Sequence, residues 1–481
     1  MDFSVLPTTA FIRPDGKNQD AIATLLHQVI DQLVEIMAQA TERSPLPEPL
    51  MSDDYVWATV PHTSADIAAL LVEVKAQLHH SMNAAHPGYI GHMDSIPTTV
   101  SVIADLLIAA LNNNMLSVEM SPVFSRLETL VLKQIAQLFG LGPQANGVLV
   151  SGGSLANLQA LIVARNQAFN SLEHGIPAGQ HPVFFVSEAA HTSFKKASMV
   201  MGLGTEAAIP IATNQNSQID IDDLKTKLAR AKADGQQPFA IVATAGTTVT
   251  GSIDPIVEMG HIAKLHQLWF HVDAAYGGAL IFSDRYRSQL AGIEQADSVT
   301  FNPQKWLYVA KTCAMVMFRQ FEQLQQHFRV LAPYMHDHDD WPNLGELTVQ
   351  GTRHPDILKL WLSLQHIGRD GYSAIIDHNY EITQTFTAAV KARPFLTLAS
   401  EPQMNLVCFR AQPPELSPDK LDDWNHGLQQ HLLQTGHTFL SLPVYRGQRW
   451  LKAVLLNPFT TADQIHRLFT HIDGYHAASK S

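Results

Sequence analysis

Two cysteines in 481 residues, Cys313 and Cys408, are too few for a disulfide framework, and both lie in apolar, strand-like runs where a buried thiol is the ordinary outcome. Charge is also scarce, at 16% of residues against 46% hydrophobic ones. That balance excludes a disordered chain and requires extensive burial, a subunit interface being one place for it. No block of basic residues occurs, and the formal charge of -12 leaves polyanions as poor partners. The N-terminus "MDFSVLPTTAFIRPDG" lacks a basic stretch followed by an apolar core, and no apolar run reaches the roughly 18 residues a membrane span needs. The expectation is a soluble, unprocessed, cytoplasmic protein with no nucleic-acid or membrane partner.

What is present has a clear order. The length exceeds what one core holds, so two or three units are expected. From Ala21 to Met37 apolar residues recur at three- and four-residue steps, an amphipathic helix whose stripe something must cover. Prolines in "TERSPLPEPL" break it, a second helix is expected around Ser64 to Gln77, and "AAHPGYIG" reads as loop. From Gly147 the texture changes to short apolar strands, "GVLV", "VFFV", "AIVAT", "LWFHV", "SVTF" and "AMVMF", separated by helical stretches. That alternation predicts a mainly parallel sheet covered on both faces. Ser125 with Glu128 reads as a capping box, and Asp254 with Pro255 as an N-cap and first-turn pair. A helix near Ile357 to His366 leads into a smaller α+β part. The expected division is a helical arm over 1–85, a large domain over 86–376 and a small one over 377–481.

Five short stretches carry candidate chemistry. "GVLVSGGSLANLQALIVAR" ends a strand at Val150 and starts a helix through a turn of small residues, Ser151 to Ser154. Free backbone N–H groups and the positive helix end converge there, as a phosphate requires, although such a turn is also ordinary punctuation. "LWFHVDAAYGG" puts Asp273 at the end of a buried strand, either as a ligand-binding carboxylate at the sheet edge or as a helix cap or structural ion pair. "VSEAAHTSF" and "ATAGTTVTGSIDP" bring His191, Thr247 and Thr248 past two further strand ends. Lys305 follows the strand "SVTF". Burial would lower its pKa and make it a nucleophilic amine; the alternative is a stem packed on Trp306 with the ammonium in water. A phosphate site, a carboxylate and an amine able to condense with an aldehyde, all at one sheet edge, meet the requirements of pyridoxal phosphate.

In this order "HPGYIGHMDSIP", "SPVFSRLETL", "SGGSLANLQALIVAR", "HVDAAYGG" and "FNPQKWL" resemble the blocks of the group II pyridoxal-phosphate amino-acid decarboxylases. That family acts on aromatic amino acids, glutamate, histidine and 2,4-diaminobutyrate. The resemblance runs from about His86 to Leu364. It implies the fold type I architecture: a mainly parallel seven-stranded α/β sheet with an N-terminal helical arm and a small C-terminal α+β domain. It implies α-decarboxylation of an L-amino acid to its amine and carbon dioxide. Lys305 would bind the cofactor aldehyde, Asp273 the ring nitrogen, His191 the ring face, and Gly153 and Ser154 the phosphate. Thr248, Ala275, Asn302 and Gln304 would complete the cofactor site, and His92, Asn114 and Arg353 would touch substrate. Tyr334, in "APYMHDHDDW", matches a loop tyrosine that protonates the intermediate in decarboxylases, where aldehyde-forming relatives carry phenylalanine. The resemblance also implies a homodimer with sites at its interface and the Tyr334 loop crossing between subunits.

One residue departs from the family pattern. Gln304 stands where histidine is usual; it can donate to a phosphate but cannot titrate near neutrality. "HDHDD" at 336–340 invites a metal reading, but adjacent ligands rarely close a coordination shell, and a mobile loop with no metal is the expectation. The rival activities are other reactions on the same scaffold (aldehyde formation, carbon–carbon lysis, transamination) and a catalytically silent cofactor-binding protein.

Overall fold

The computed structural model describes residues 6–51, 55, 58–331 and 341–479. The opening stripe forms α1 (Gln19–Ala38), and α2 (Ile67–His79) follows, capped by Asp66, whose carboxylate accepts the Ala69 N–H at 3.2 Å. Of α1 only Ile22 and Ile36 are buried, while Leu26, Val29, Ile30, Leu33 and Val34 are exposed. Among the described residues α1 is the one helix long and apolar enough to cross a membrane by length and composition, with a mean hydropathy of 1.3. Asp31 and Glu35 interrupt its apolar face, so the sequence still holds no continuous apolar run of that length. Glu35 is tied to α2 by Lys75 at 3.2 Å.

Next come α3 (Thr99–Leu111) and α4 (Pro122–Leu138). The capping box expected at Ser125 and Glu128 is not there. Pro122 fits the first turn, where its missing N–H would be unpaired anyway, so α4 starts earlier and both residues are buried inside it.

The sheet is built from β1 (Asn146–Val150), α5 (Gly153–Phe169), β2 (Pro182–Ser187), α6 (Ser193–Val200), β3 (Ala208–Ile211), α7 (Ile221–Ala233), β4 (Gln237–Thr244), α8 (Ile256–Leu265), β5 (Trp269–Asp273), β6 (Ser298–Phe301) and β7 (Ala314–Phe318). Its order is β1-β7-β6-β5-β4-β2-β3, with β7 antiparallel to both neighbours and the other pairings parallel. The mainly parallel seven-stranded sheet is therefore as expected, and its unbroken apolar strands are buried because helices cover both faces. Asp254 does not cap α8. Its buried carboxylate accepts the N–H groups of Ile219 and Thr244, each at 2.8 Å, and burial pushes its pKa up to about 7.

After α9 (Phe321–Phe328), the long α10 (Ile357–Lys391) bends at Gly368 (φ 71°), and the helix runs through position 376 without interruption. The rest is β8 (Leu396–Leu398), β9 (Leu406–Ala411), α11 (Leu421–Thr435), the hairpin β10 (Val444–Tyr445) and β11 (Gln448–Arg449), β12 (Leu451–Val454) and α12 (Ala462–Ala478). Strands β12-β9-β8 form an antiparallel sheet with its own core. There Phe386 lies edge-on to Phe409 and Phe469, with centroids 5.5 and 4.9 Å away, each ring contributing about 1.5–3 kcal/mol by burial.

Candidate active site

Because β1, β2, β4, β5 and β6 run the same way, their C-terminal ends open on one edge, and pairing sets Thr244 beside Asp273 and Asp273 beside Thr300. A cavity of about 450 Å³ lies at that edge. Gly153, Ser154, His191, Thr248, Asp273, Ala275, Asn302, Gln304 and Lys305 all line it.

The turn from β1 into α5 supplies one end. A Cβ at Gly153 would stand 2.9 Å from Asn302 Nδ2, so only glycine lets the helix begin against that side chain. The N–H groups of Gly153 and Ser154 precede the first hydrogen bonds of α5, which Leu155 and Ala156 make to the Gly152 carbonyl, and they sit at the positive helix end. Gln304 Oε1 accepts the Cys313 N–H, leaving its NH2 as the remaining donor. Asn302 Oδ1 and Thr244 Oγ1 are buried without a partner. Two orphaned buried polar atoms, each costing about 1–3 kcal/mol, together with uncommitted donors, fit a polar, phosphate-bearing cofactor in the cavity.

Asp273 is buried. Its Oδ1 accepts the Ala275 N–H at 3.1 Å, and its Oδ2 accepts Asn157 Nδ2 at 2.9 Å. His191 accepts the Ser193 N–H on Nδ1 at 3.1 Å, which places the proton of the neutral ring on Nε2. Burial lowers its pKa, partly offset by Asp273. Burial likewise lowers that of Lys305, against the pull of Asp273 and Asp94, so its amine is closer to the nucleophilic form. The alternative in which the Lys305 stem rides outward on Trp306 is corrected: Trp306 is fully buried, stacks on Tyr276 at 5.0 Å and donates to Asn379 Oδ1 at 2.8 Å.

Three expected substrate residues do not line the cavity. Arg353 is held in a buried pair with Glu128, at 3.1 and 3.3 Å, and donates to the Leu149 carbonyl at 2.9 Å. A guanidinium so committed is not available to a substrate carboxylate, which corrects the role expected of it. Asn114 ties two loops together, donating to Thr352 Oγ1 and accepting the Leu116 N–H. His92 rests edge-on against Phe439 at 5.2 Å, its pKa lowered by burial and then by nearby Lys452. Tyr334 and the "HDHDD" run lie outside the described residues. Among the described residues one cluster has metal-ligand composition, Asp105, His354 and Asp356, and the Lys359 ammonium pairs with its two carboxylates at 3.3 and 2.7 Å.

Sequence reasoning passed over Asn157, Thr244 and Lys452. Asn157 sits one helical turn past Gly153, a spacing that would have pointed it at the same edge. Lys452 is a lone cation in the apolar strand "LKAV"; its ammonium donates to the Thr248 carbonyl at 3.3 Å, and burial lowers its pKa to about 8. That interruption of β12 was the available signal.

Residues 49–412 match the family model described as the pyridoxal-dependent decarboxylase conserved domain. The chain is 35% identical over 417 residues to an L-2,4-diaminobutyrate decarboxylase of Rhizobium meliloti (strain 1021), covering 86% of this chain and 83% of the relative. A second L-2,4-diaminobutyrate decarboxylase, from Acinetobacter baumannii, is 31% identical over 413 residues, covering 82% and 81%. Among solved structures, mouse CSAD superposes with a TM-score of 0.89 at 27% identity, over 95% of this chain and 98% of that one. The family model spans most of the chain and includes every cavity residue named above, and on that ground the chain belongs to the pyridoxal-phosphate-dependent amino-acid decarboxylases.

Proposed function

We propose that the amino acid decarboxylated is L-2,4-diaminobutyrate, giving 1,3-diaminopropane and carbon dioxide. The observation that carries the reaction is the convergence of Lys305, Asp273 and His191 on one cavity. The substrate rests on two relatives of that name matched over about four-fifths of the chain. Pyridoxal phosphate, when bound, supplies a conjugated ring that takes up the electron pair left as the Cα–carboxylate bond breaks. Lys305 would supply the amine for its aldehyde, Asp273 would hold a proton at the ring nitrogen, His191 would cover the ring, and Gly153, Ser154, Asn302 and Gln304 would hold the phosphate. Tyr334 is the proposed proton donor to Cα.

We assign the substrate carboxylate to Lys452 instead of Arg353, because the Lys452 ammonium keeps donors beyond the Thr248 carbonyl whereas Arg353 is neutralised by Glu128. Lys452→Met is expected to raise KM by about 10- to 100-fold, the range for a hydrogen bond to a charged group, with a smaller change in kcat. The lowered pKa makes the lysine cationic below about pH 8 and neutral above it, so in the parent enzyme KM should climb as pH rises through 8. A KM profile that is flat there and identical in the variant would remove Lys452 from this role.

The substrate test measures carbon dioxide and amine formation from 2,4-diaminobutyrate, glutamate, histidine and DOPA with holo-protein. A kcat/KM at least tenfold higher for diaminobutyrate is expected; preference for another amino acid, or an aldehyde product, overturns the reading. The same preparation is expected to sediment as a homodimer, since the exposed apolar residues of α1, α2 and α3 need cover. A cytoplasmic setting is supported by the two free, buried thiols, whose pKa values burial raises.

A further inference from the structure

Behind Asp273 runs a line of buried polar side chains that no part of the chemistry above uses. Trp269 Nε1 donates to Ser298 Oγ at 2.8 Å; Ser298 Oγ lies 2.8 Å from His271 Nδ1; His271 Nε2 lies 3.1 Å from Asn157 Oδ1; and Asn157 Nδ2 reaches Asp273 Oδ2 at 2.9 Å and Ser193 Oγ at 3.1 Å. Thr300 Oγ1 stands 3.5 Å from the same His271 nitrogen. His271 and Ser298 are fully buried, and Asn157 very nearly so.

The chemistry of the two ends dictates the direction of every bond between them. An indole N–H only donates, so Ser298 Oγ accepts from it on one lone pair and keeps its own hydrogen free to turn to His271 Nδ1. The proton of a neutral imidazole then sits on Nε2 and is donated to Asn157 Oδ1. An ionised carboxylate only accepts, so Asn157 presents its NH2 to Asp273. The two constraints meet at His271 without conflict, provided the ring is neutral. Burial lowers its pKa to about 4, which satisfies that condition at neutral pH.

We infer that Asn157, His271 and Ser298 are positioning residues that aim the Asp273 carboxylate into the cavity through a donated hydrogen bond, and so set how strongly it holds a proton on a cofactor ring nitrogen. This rests on the reading of Asp273 as the ring-nitrogen partner. The titratable groups facing Asp273 are His191, Lys305 and His271, each influenced by its charge. A donated hydrogen bond favours the ionised carboxylate. Without it the Asp273 carboxylate would hold a proton on a bound ring nitrogen less firmly, which would change both cofactor affinity and the pH response of the cofactor's absorbance.

The test uses full-length holo-protein carrying Asn157→Leu or Ser298→Ala, with Asp273→Asn as reference. It reads pyridoxal phosphate affinity, the pH midpoint of the visible absorbance of bound cofactor, and the thermal midpoint of the apoprotein. For Asn157→Leu, affinity about tenfold weaker and a midpoint about one pH unit higher are expected, one unit corresponding to a factor of ten. Ser298→Ala, remote from the cavity, should move both readouts the same way by less, with the apoprotein midpoint little changed. Parent-like affinity and pH midpoint in both variants, while Asp273→Asn shifts them, would overturn the relay and leave Asp273 its role. A shift confined to Asn157→Leu would also overturn it, reducing the line to one hydrogen bond. An unshifted Asp273→Asn would overturn the underlying reading as well. If Asn157→Leu fails to fold, Ser298→Ala decides alone.

Discussion

Lys305→Ala is expected to lower the decarboxylation rate by about 10³- to 10⁶-fold, the range seen when a nucleophile that acts as part of a unit is removed. The cause is specific to the amine. Lys305 follows β6, and its pKa is lowered chiefly by loss of water, which moves the amine toward the unprotonated form that attacks an aldehyde. Alanine leaves the cradle at Gly153 and the carboxylate of Asp273 intact, so cofactor should still bind, only without a covalent link. Borohydride reduction followed by peptide mass analysis checks this: the parent should carry the label on Lys305 and the variant on no lysine. A label found on Lys196, Lys311 or Lys452, lysines whose charges couple to His191 or Lys305, would reassign the nucleophile. A variant that kept parent-like turnover would remove covalent catalysis by Lys305 from the mechanism.

Asp273→Asn should cost about 10²- to 10³-fold in kcat, comparable to losing one preorganised electrostatic contact to developing charge. The substitution keeps the volume and the contact with the Ala275 N–H while removing the negative charge. It also turns an amide toward Asn157 Nδ2, so the loss includes a poorer local fit. The decisive comparison is kcat against KM. A neutral residue at this position should depress kcat with little change in KM for the amino acid, because the ring nitrogen's proton matters most as charge develops. An effect confined to KM would mean that Asp273 binds substrate and does not tune the cofactor.

The positions from which these predictions come differ in how readable they were. Gly153, Asp273 and Lys305 each follow a continuous apolar strand, and a parallel sheet puts every such strand end on one edge, so linear order alone was enough to bring them together. A polar residue at capping spacing looks the same whether it caps a helix, lies buried inside one as Ser125 does, or accepts buried backbone N–H groups as Asp254 does. Arg353 was misread for a related reason. An arginine in a polar loop gives no sign that a carboxylate inside α4 will take its charge.

The sequence by itself determined the strand and helix alternation and the placing of a lysine, a carboxylate and a small-residue turn at strand ends, since these depend on local periodicity and on residue types with few alternative uses. Only the tertiary structure decided which charges are spent and which remain available: Glu128 neutralises Arg353, Asn157 reaches Asp273 from α5, and Lys452 arrives from the second core to stand beside Thr248. Those pairings join residues far apart in the chain, and a side chain's partner is set by packing distance, which no local pattern encodes.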